Sequence, residues 1–530
     1  MNRTTLSLIA GASALAAVTG FAALSSPDAG AANEPARAAA RLPVERTGLL
    51  CPRPSTSDLA ETTYTSFTPV TEGAKKEGGA ELQPATGAGA DDDPQADEES
   101  KDQESKDEES KDEGSEADEE SQTDGEAGEK PKAGAKPVLK PGKPGEPATG
   151  SVSGGEAPAL VGTAEGRFAP GWTVQQTTEV AAGTGRGLQG VTCTPADTEF
   201  WFPGASTDED RTDYVHLTNP DDSAAVVDIE LYGKDGALKT TVGEGITVKP
   251  HSAEPVLLST LTEDKQTDVT VHVVVRSGRV GAAVQALDDK LGGDWLPASA
   301  DPSGSLVLPG IPEDATAVRL IAFTPRDADA DLTVRLASPS GLITPAGHET
   351  LHVKGGMTTA VDLGDITRGE AGSLVLTAPD GSVPVVAAVR VLRGKGDQQE
   401  SAFIPAARPV GTRATAVDNT AKGTTLSVTA PRGTAKVKVT ASAGTEGGTP
   451  ASRTYTIKSG TTQKIEAPAP AGAKGTYALT LEPESDTPVY ASRTLVSAES
   501  GAFFTVQPLP DDRGTVAVPE AGEDLSVLQR

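Results

Sequence analysis

Internal self-similarity sets the first constraint on this chain, because a repeat of fixed period means that one folding unit is built several times. Ile246-Thr247-Val248-Lys249, Leu351-His352-Val353-Lys354 and Tyr455-Thr456-Ile457-Lys458 stand 105 and 104 residues apart. Val256, Val361 and Ile465 keep those offsets. So do Val280-Gly281-Ala282-Ala283, Val385-Val386-Ala387-Ala388 and Val489-Tyr490-Ala491-Ser492. Near the front of each unit Pro220, Pro325 and Pro431 follow a short apolar stretch. Near its end an aromatic step recurs as Trp295-Leu296-Pro297, Phe403-Ile404-Pro405 and Phe503-Phe504. Anchors that hold one register through two further copies exclude coincidence.

Each unit reads as β. Val269, Val271, Val273 and Val275 alternate with Asp268, Thr270, His272 and Val274, which is the period of a strand with one buried face. Asn219-Pro220-Asp221, Lys234-Asp235-Gly236 and Pro379-Asp380-Gly381 punctuate the units as turns. Six to eight short strands in a unit of this size is the count of an immunoglobulin-like sandwich. The expected fold class is therefore all-β, three tandem immunoglobulin-like sandwiches. With only 9 Phe, 6 Tyr and 3 Trp, their cores rest on Ala, Val and Leu.

Ahead of the first unit, Cys193 is followed by Glu199-Phe200-Trp201-Phe202. Leu217-Thr218-Asn219-Pro220 and the strand Ile229-Glu230-Leu231-Tyr232-Gly233 come next. With the apolar N-terminal lead, these residues resemble a secreted actinobacterial family of unknown function. The resemblance covers most of the chain outside its acidic stretch. It implies an exported envelope protein and carries no site residues.

The N-terminus has its own signature. Met1-Asn2-Arg3 is basic, Thr4 to Pro27 is uncharged and apolar, and Ala29-Gly30-Ala31 supplies small residues for cleavage. This is the pattern of a secretory signal peptide; an uncleaved membrane anchor is the alternative, and the only membrane contact expected. Export permits disulfides, so Cys51 and Cys193, the only two cysteines, are expected to form one bridge. Residues 91–129 hold 20 Asp or Glu and 3 Lys, with a pentad repeated from Ser100, Ser105 and Ser110. A Lys/Pro-rich stretch follows. Such a segment buries nothing to offset its ordering entropy and is expected to be disordered.

The expected division is a signal peptide or anchor over 1–32, an N-terminal segment of the first β domain over 33–70, and an insert over 71–155. Immunoglobulin-like domains follow over 156–308, 309–411 and 412–515, with a tail over 516–530.

Chemistry-bearing motifs are few. His348-Glu349-Thr350-Leu351-His352 spells a zinc-hydrolase motif, but that chemistry needs both histidines on one face of a helix. The repeat register places the segment at the start of a strand, where residues four apart lie about 13 Å from each other. Phe200, Trp201 and Phe202 form the densest aromatic run, either a core strand or a stacking platform for sugar or peptide. A net charge of −30 excludes binding that works by neutralising nucleic-acid phosphates. The expectation is a non-catalytic, exported cell-envelope protein, without cofactor, that binds an extracellular or envelope ligand, protein or glycan, or acts as a scaffold. A zinc hydrolase using His348, Glu349 and His352 and a carbohydrate-binding accessory protein are the alternatives.

Overall fold

The computed structural model describes residues 40–85, 136–379, 383–498 and 500–518. The expected signal peptide, the acidic pentads and the end of the tail lie outside these residues. The chain divides into two compact units. The smaller is made of its two ends, 1–42 and 515–530, whose described strands Ala40–Pro43 and Thr515–Val518 form a two-stranded sheet. The larger spans Pro43–Gly514 and holds every other sheet.

The larger unit is all-β, and its eight sheets fall into four pairs, each pair closing over its own apolar cluster. Alternation along the strands explains the pairing. Val269, Val271 and Val273 are fully buried in the second sandwich, and Ala435, Val437, Val439 and Ala441 in the fourth, while Lys436 between them is exposed. In every sandwich one sheet has four strands, and their order repeats. The first runs Ala148–Ser153, Ala60–Phe67, Thr173–Val180, Gly187–Thr192. The second runs Ala253–Leu257, Arg211–Thr218, Gly281–Asp288, Gly292–Leu296. The third runs Thr358–Gly364, Ala315–Phe323, Val386–Arg393, Glu400–Pro405, and the fourth Thr461–Ile465, Thr424–Ala430, Tyr490–Val496, Phe504–Pro508. All pairings in these sheets are antiparallel. The sequence repeat marks equivalent places: Val280, Val385 and Val489 each make a single antiparallel bridge, to Asp197, Ser303 and Val410, at the head of the third strand.

Where three sandwiches were expected, the structure has four. The segment over 33–70 does not complete the sandwich that follows the insert at 156–308. Its strands Arg46–Cys51 and Ala60–Phe67 combine with Ala80–Pro84, Ala148–Ser153 and Leu160–Thr192 into a separate first sandwich. Parts of the expected disordered insert belong to it as well. Leu82 pairs with Leu139, both buried, and Ala148–Ser153 is an edge strand. The period of about 105 residues could not show this copy, because the acidic stretch divides it. The bridge between Cys51 and Cys193 lies in its core, with Cα atoms 4.5 Å apart.

Candidate functional site

The last strands of the four repeated sheets, Gly187–Thr192, Gly292–Leu296, Glu400–Pro405 and Phe504–Pro508, lie against one another in a closed ring at the centre of the unit. They belong to four separate sheets and are joined by side-chain bonds and by backbone bonds at their starts, Gly293 N to Arg186 O at 2.9 Å and Ser401 N to Leu291 O at 3.0 Å. Asp294 is its hub. The carboxylate accepts from Gly190 N at 3.1 Å and from the Thr505 hydroxyl at 3.1 Å, and from the backbone N–H groups of Trp295 and Phe403. One donor thus comes from each of the four strands. Burial pushes the Asp294 carboxyl well above its usual range, against the pull of those donors. Gly190 makes the approach feasible, since a Cβ there would stand 2.5 Å from Gln507 Nε2 and 2.6 Å from Thr505 Cγ2.

Further polar contacts seal the joints between sandwiches. Gln285 Nε2 donates to Gln189 Oε1 and to Pro54 O, both at 2.9 Å. Buried His216 stands 3.3 Å from Gln285 Oε1, and desolvation pushes its imidazole down to about 4. Arg186 donates to Glu400 Oε1 at 2.8 Å, joining the first sandwich to the third; burial lifts the Glu400 carboxyl to about 7 while Arg186 pulls it down. The Arg390–Asp288 pair connects the second and third sandwiches, and Arg211, bonded to Asp213 on its own strand, lies over the Phe403 ring of the third, 5.5 Å from its centroid.

At the end where the four strands stop, a cavity of about 780 Å³ opens. Pro195, Pro297, Pro405 and Pro508 line it, standing at or just past the ends of the central strands. Arg46–Leu50, an edge strand of the first sandwich, forms one wall, and Gly281–Ala283 contributes another. The lining carries five carboxylates, Asp197, Glu199, Asp301, Asp511 and Asp512, against three guanidinium groups, Arg46, Arg408 and Arg513.

The residues singled out from sequence lie elsewhere or play structural parts. Phe200 and Phe202 fill the core of the second sandwich, with Phe200 reaching the cavity wall. Trp201 is 6 % exposed and lies flat on His272, 3.6 Å between ring centroids, with Phe323 of the third sandwich at 5.5 Å. Its Nε1 donates to Glu199 at 3.1 Å. It therefore packs a joint between two sandwiches. His352 stands on the strand Thr350–Val353 and bonds Asp331 at 2.9 Å, while Glu349 accepts from Gly347 N. No helical face brings His348 and His352 together, and among the described residues no group of three or more His, Cys, Asp or Glu is placed to hold a metal. The cavity went unread in the sequence. The recurring aromatic-to-proline step was its one visible trace.

A model of a family of unknown function (DUF5719) matches residues 148–468, more than half of the chain. The chain belongs to that family. The match starts at the edge strand Ala148–Ser153, crosses the second and third sandwiches whole, and stops just past Thr461–Ile465. It thus includes three of the four central strands. No curated protein and no solved structure matches the chain.

Proposed function

We propose that this member of the family is an extracytoplasmic, non-catalytic binding or scaffold protein, and that the cavity at the end of the central ring is where it holds its ligand. The observation that carries the reading is the convergence of all four sandwiches on one concave space. Concave sites formed where several units meet are the usual place for a ligand. The wall offers Ala, Gly, Pro and backbone amides, suited to holding a ligand, and its one imidazole, His216, is buried and held neutral. The bridge between Cys51 and Cys193 fits an oxidising compartment, and no helix among the described residues is long and apolar enough to cross a membrane.

The test is intact mass, with and without reductant, on protein recovered from the native host after separation of membrane, medium and cytoplasm. A chain outside the cytoplasm that gains two hydrogens on reduction supports the reading. A chain recovered reduced from the cytoplasm overturns it.

A further inference from the structure

One wall of the cavity is a strand edge whose hydrogen-bonding capacity is only partly used. In an antiparallel pair, alternate residues direct both N–H and C=O away from the partner strand. Arg46–Cys51 pairs on one side with Leu160–Glu165, yet Leu50 turns the other way. Its N–H donates to Thr194 O at 2.8 Å and its C=O accepts from Thr194 N at 3.1 Å. The same period aims the backbone groups of Gly48 and Arg46 toward the cavity side. Thr194 cannot carry the ladder on to them. Pro195 follows it without an N–H, and Asp197 bonds to Val280 instead. At the far end Val44 N donates to Gly514 O at 3.2 Å. Between these two fastenings, among the described residues, the N–H and C=O groups of Arg46 and Gly48 on this side have no partner, and Gly48 is exposed.

We propose that this edge is a docking site for an extended, basic segment of a partner protein, which adds as a strand beside Arg46–Gly48. The proposal deepens the binding role argued above and rests on it. An open edge offers backbone affinity to any extended chain, and pockets beside it give selectivity. From Val44 to Leu50 the edge runs about 20 Å, room for a segment of about four residues between the fastenings. Charge chooses the occupant. Of the five lining carboxylates Asp301 is paired with Arg408 at 2.7 Å and Asp512 with Arg413, and of the three lining guanidinium groups Arg46 is paired with Glu165 at 2.8 Å. That leaves Asp197, Glu199 and Asp511 against Arg513 outside Lys/Arg ion pairs. The whole chain carries −30. A segment with Lys or Arg at its flanks is drawn in, and an acidic one is repelled.

The full secreted chain is titrated into fluorescent octapeptides of alternating Val and Thr flanked by Lys pairs. Controls carry Glu flanks or N-methyl groups on alternate peptide bonds. The Lys-flanked peptide is expected to bind and to slow hydrogen exchange at the Arg46 and Gly48 amides. Either control should weaken binding at least about tenfold, a difference of one to two backbone hydrogen bonds. Gly48→Pro should weaken it as much, because it removes a donor that the Leu160–Glu165 pairing does not use. Circular dichroism establishes that this variant is folded; if it is not, exchange on the native sequence decides. Three results overturn the proposal: no peptide of the set binds, the folded Gly48→Pro variant binds like the native sequence, or bound peptide leaves both amides exchanging freely. A bridged, extracytoplasmic protein that binds none of these peptides loses this proposal alone. A reduced cytoplasmic one loses the broader reading.

Discussion

A carboxylate at the centre of an apolar ring is neutralised or paid for elsewhere, and Asp294 and Glu400 show two versions. Asp294 has four donors and no cation among the contacts that shape its titration, so desolvation raises its carboxyl. Glu400 has Arg186 beside it and is still lifted, to about 7 from an ordinary 4.5. An acid whose folded value exceeds its unfolded value contributes stability that is complete below the unfolded value. That contribution is lost as pH rises through the folded one. For Glu400 the window runs from 4.5 to about 7. Denaturant midpoints of the native sequence should fall across it, and Glu400→Gln should flatten that slope; an unchanged slope in the variant would show that Glu400 is not its source. Asp294→Leu strands four buried donors and should cost about 1–3 kcal/mol or more, whereas Asp294→Asn keeps the acceptor oxygen and should cost less. Neither residue stood out in the sequence, since one Asp among 76 acidic residues carries no mark of burial.

At the scale of the element, the valine alternation gave the strands their buried faces, and proline their ends. The aromatic run was harder to place. On the strand Glu199–Ala205, Phe200 and Phe202 face one side and Trp201 the other, as the two-residue period of a strand requires. What Trp201 meets is decided by a different sandwich, through Phe323 and Val386. Trp201→Ala should therefore destabilise the fold by about 3–5 kcal/mol, the usual range for emptying a large aromatic site. Thermal unfolding would check this, and an unaltered midpoint would return Trp201 to the surface. The bridge is the other local staple. It closes a loop of 142 residues, and replacing both cysteines with serine should cost roughly 4–5 kcal/mol in a chain-entropy account.

For the whole molecule, the order of sandwiches along the chain suggests beads on a string, which would unfold one by one. The ring makes another behaviour necessary. Phe504 and Val506 of the fourth sandwich belong to the apolar cluster of the third, and Ala388 and Phe403 of the third to that of the second. Thr177 of the first donates to Asp418 of the fourth at 2.7 Å, closing the circle. Calorimetry should show one cooperative transition for residues 43–514, and residues 196–300 expressed alone should not fold stably. Two or more resolved transitions would mean that the joints add little.

The sequence by itself determined the all-β class, the repeating unit and the pairing of Cys51 with Cys193. Each follows from local periodicity or from counting, and none of the three needs knowledge of what a residue meets across space. Only the tertiary structure decided that a fourth sandwich exists, that the four close into a ring, and that a cavity with an open strand edge lies at its end. Those features arise where residues hundreds of positions apart come into contact. Ala, Val, Gly and Pro spell the same words whether they face a core, a neighbouring sandwich or an empty space.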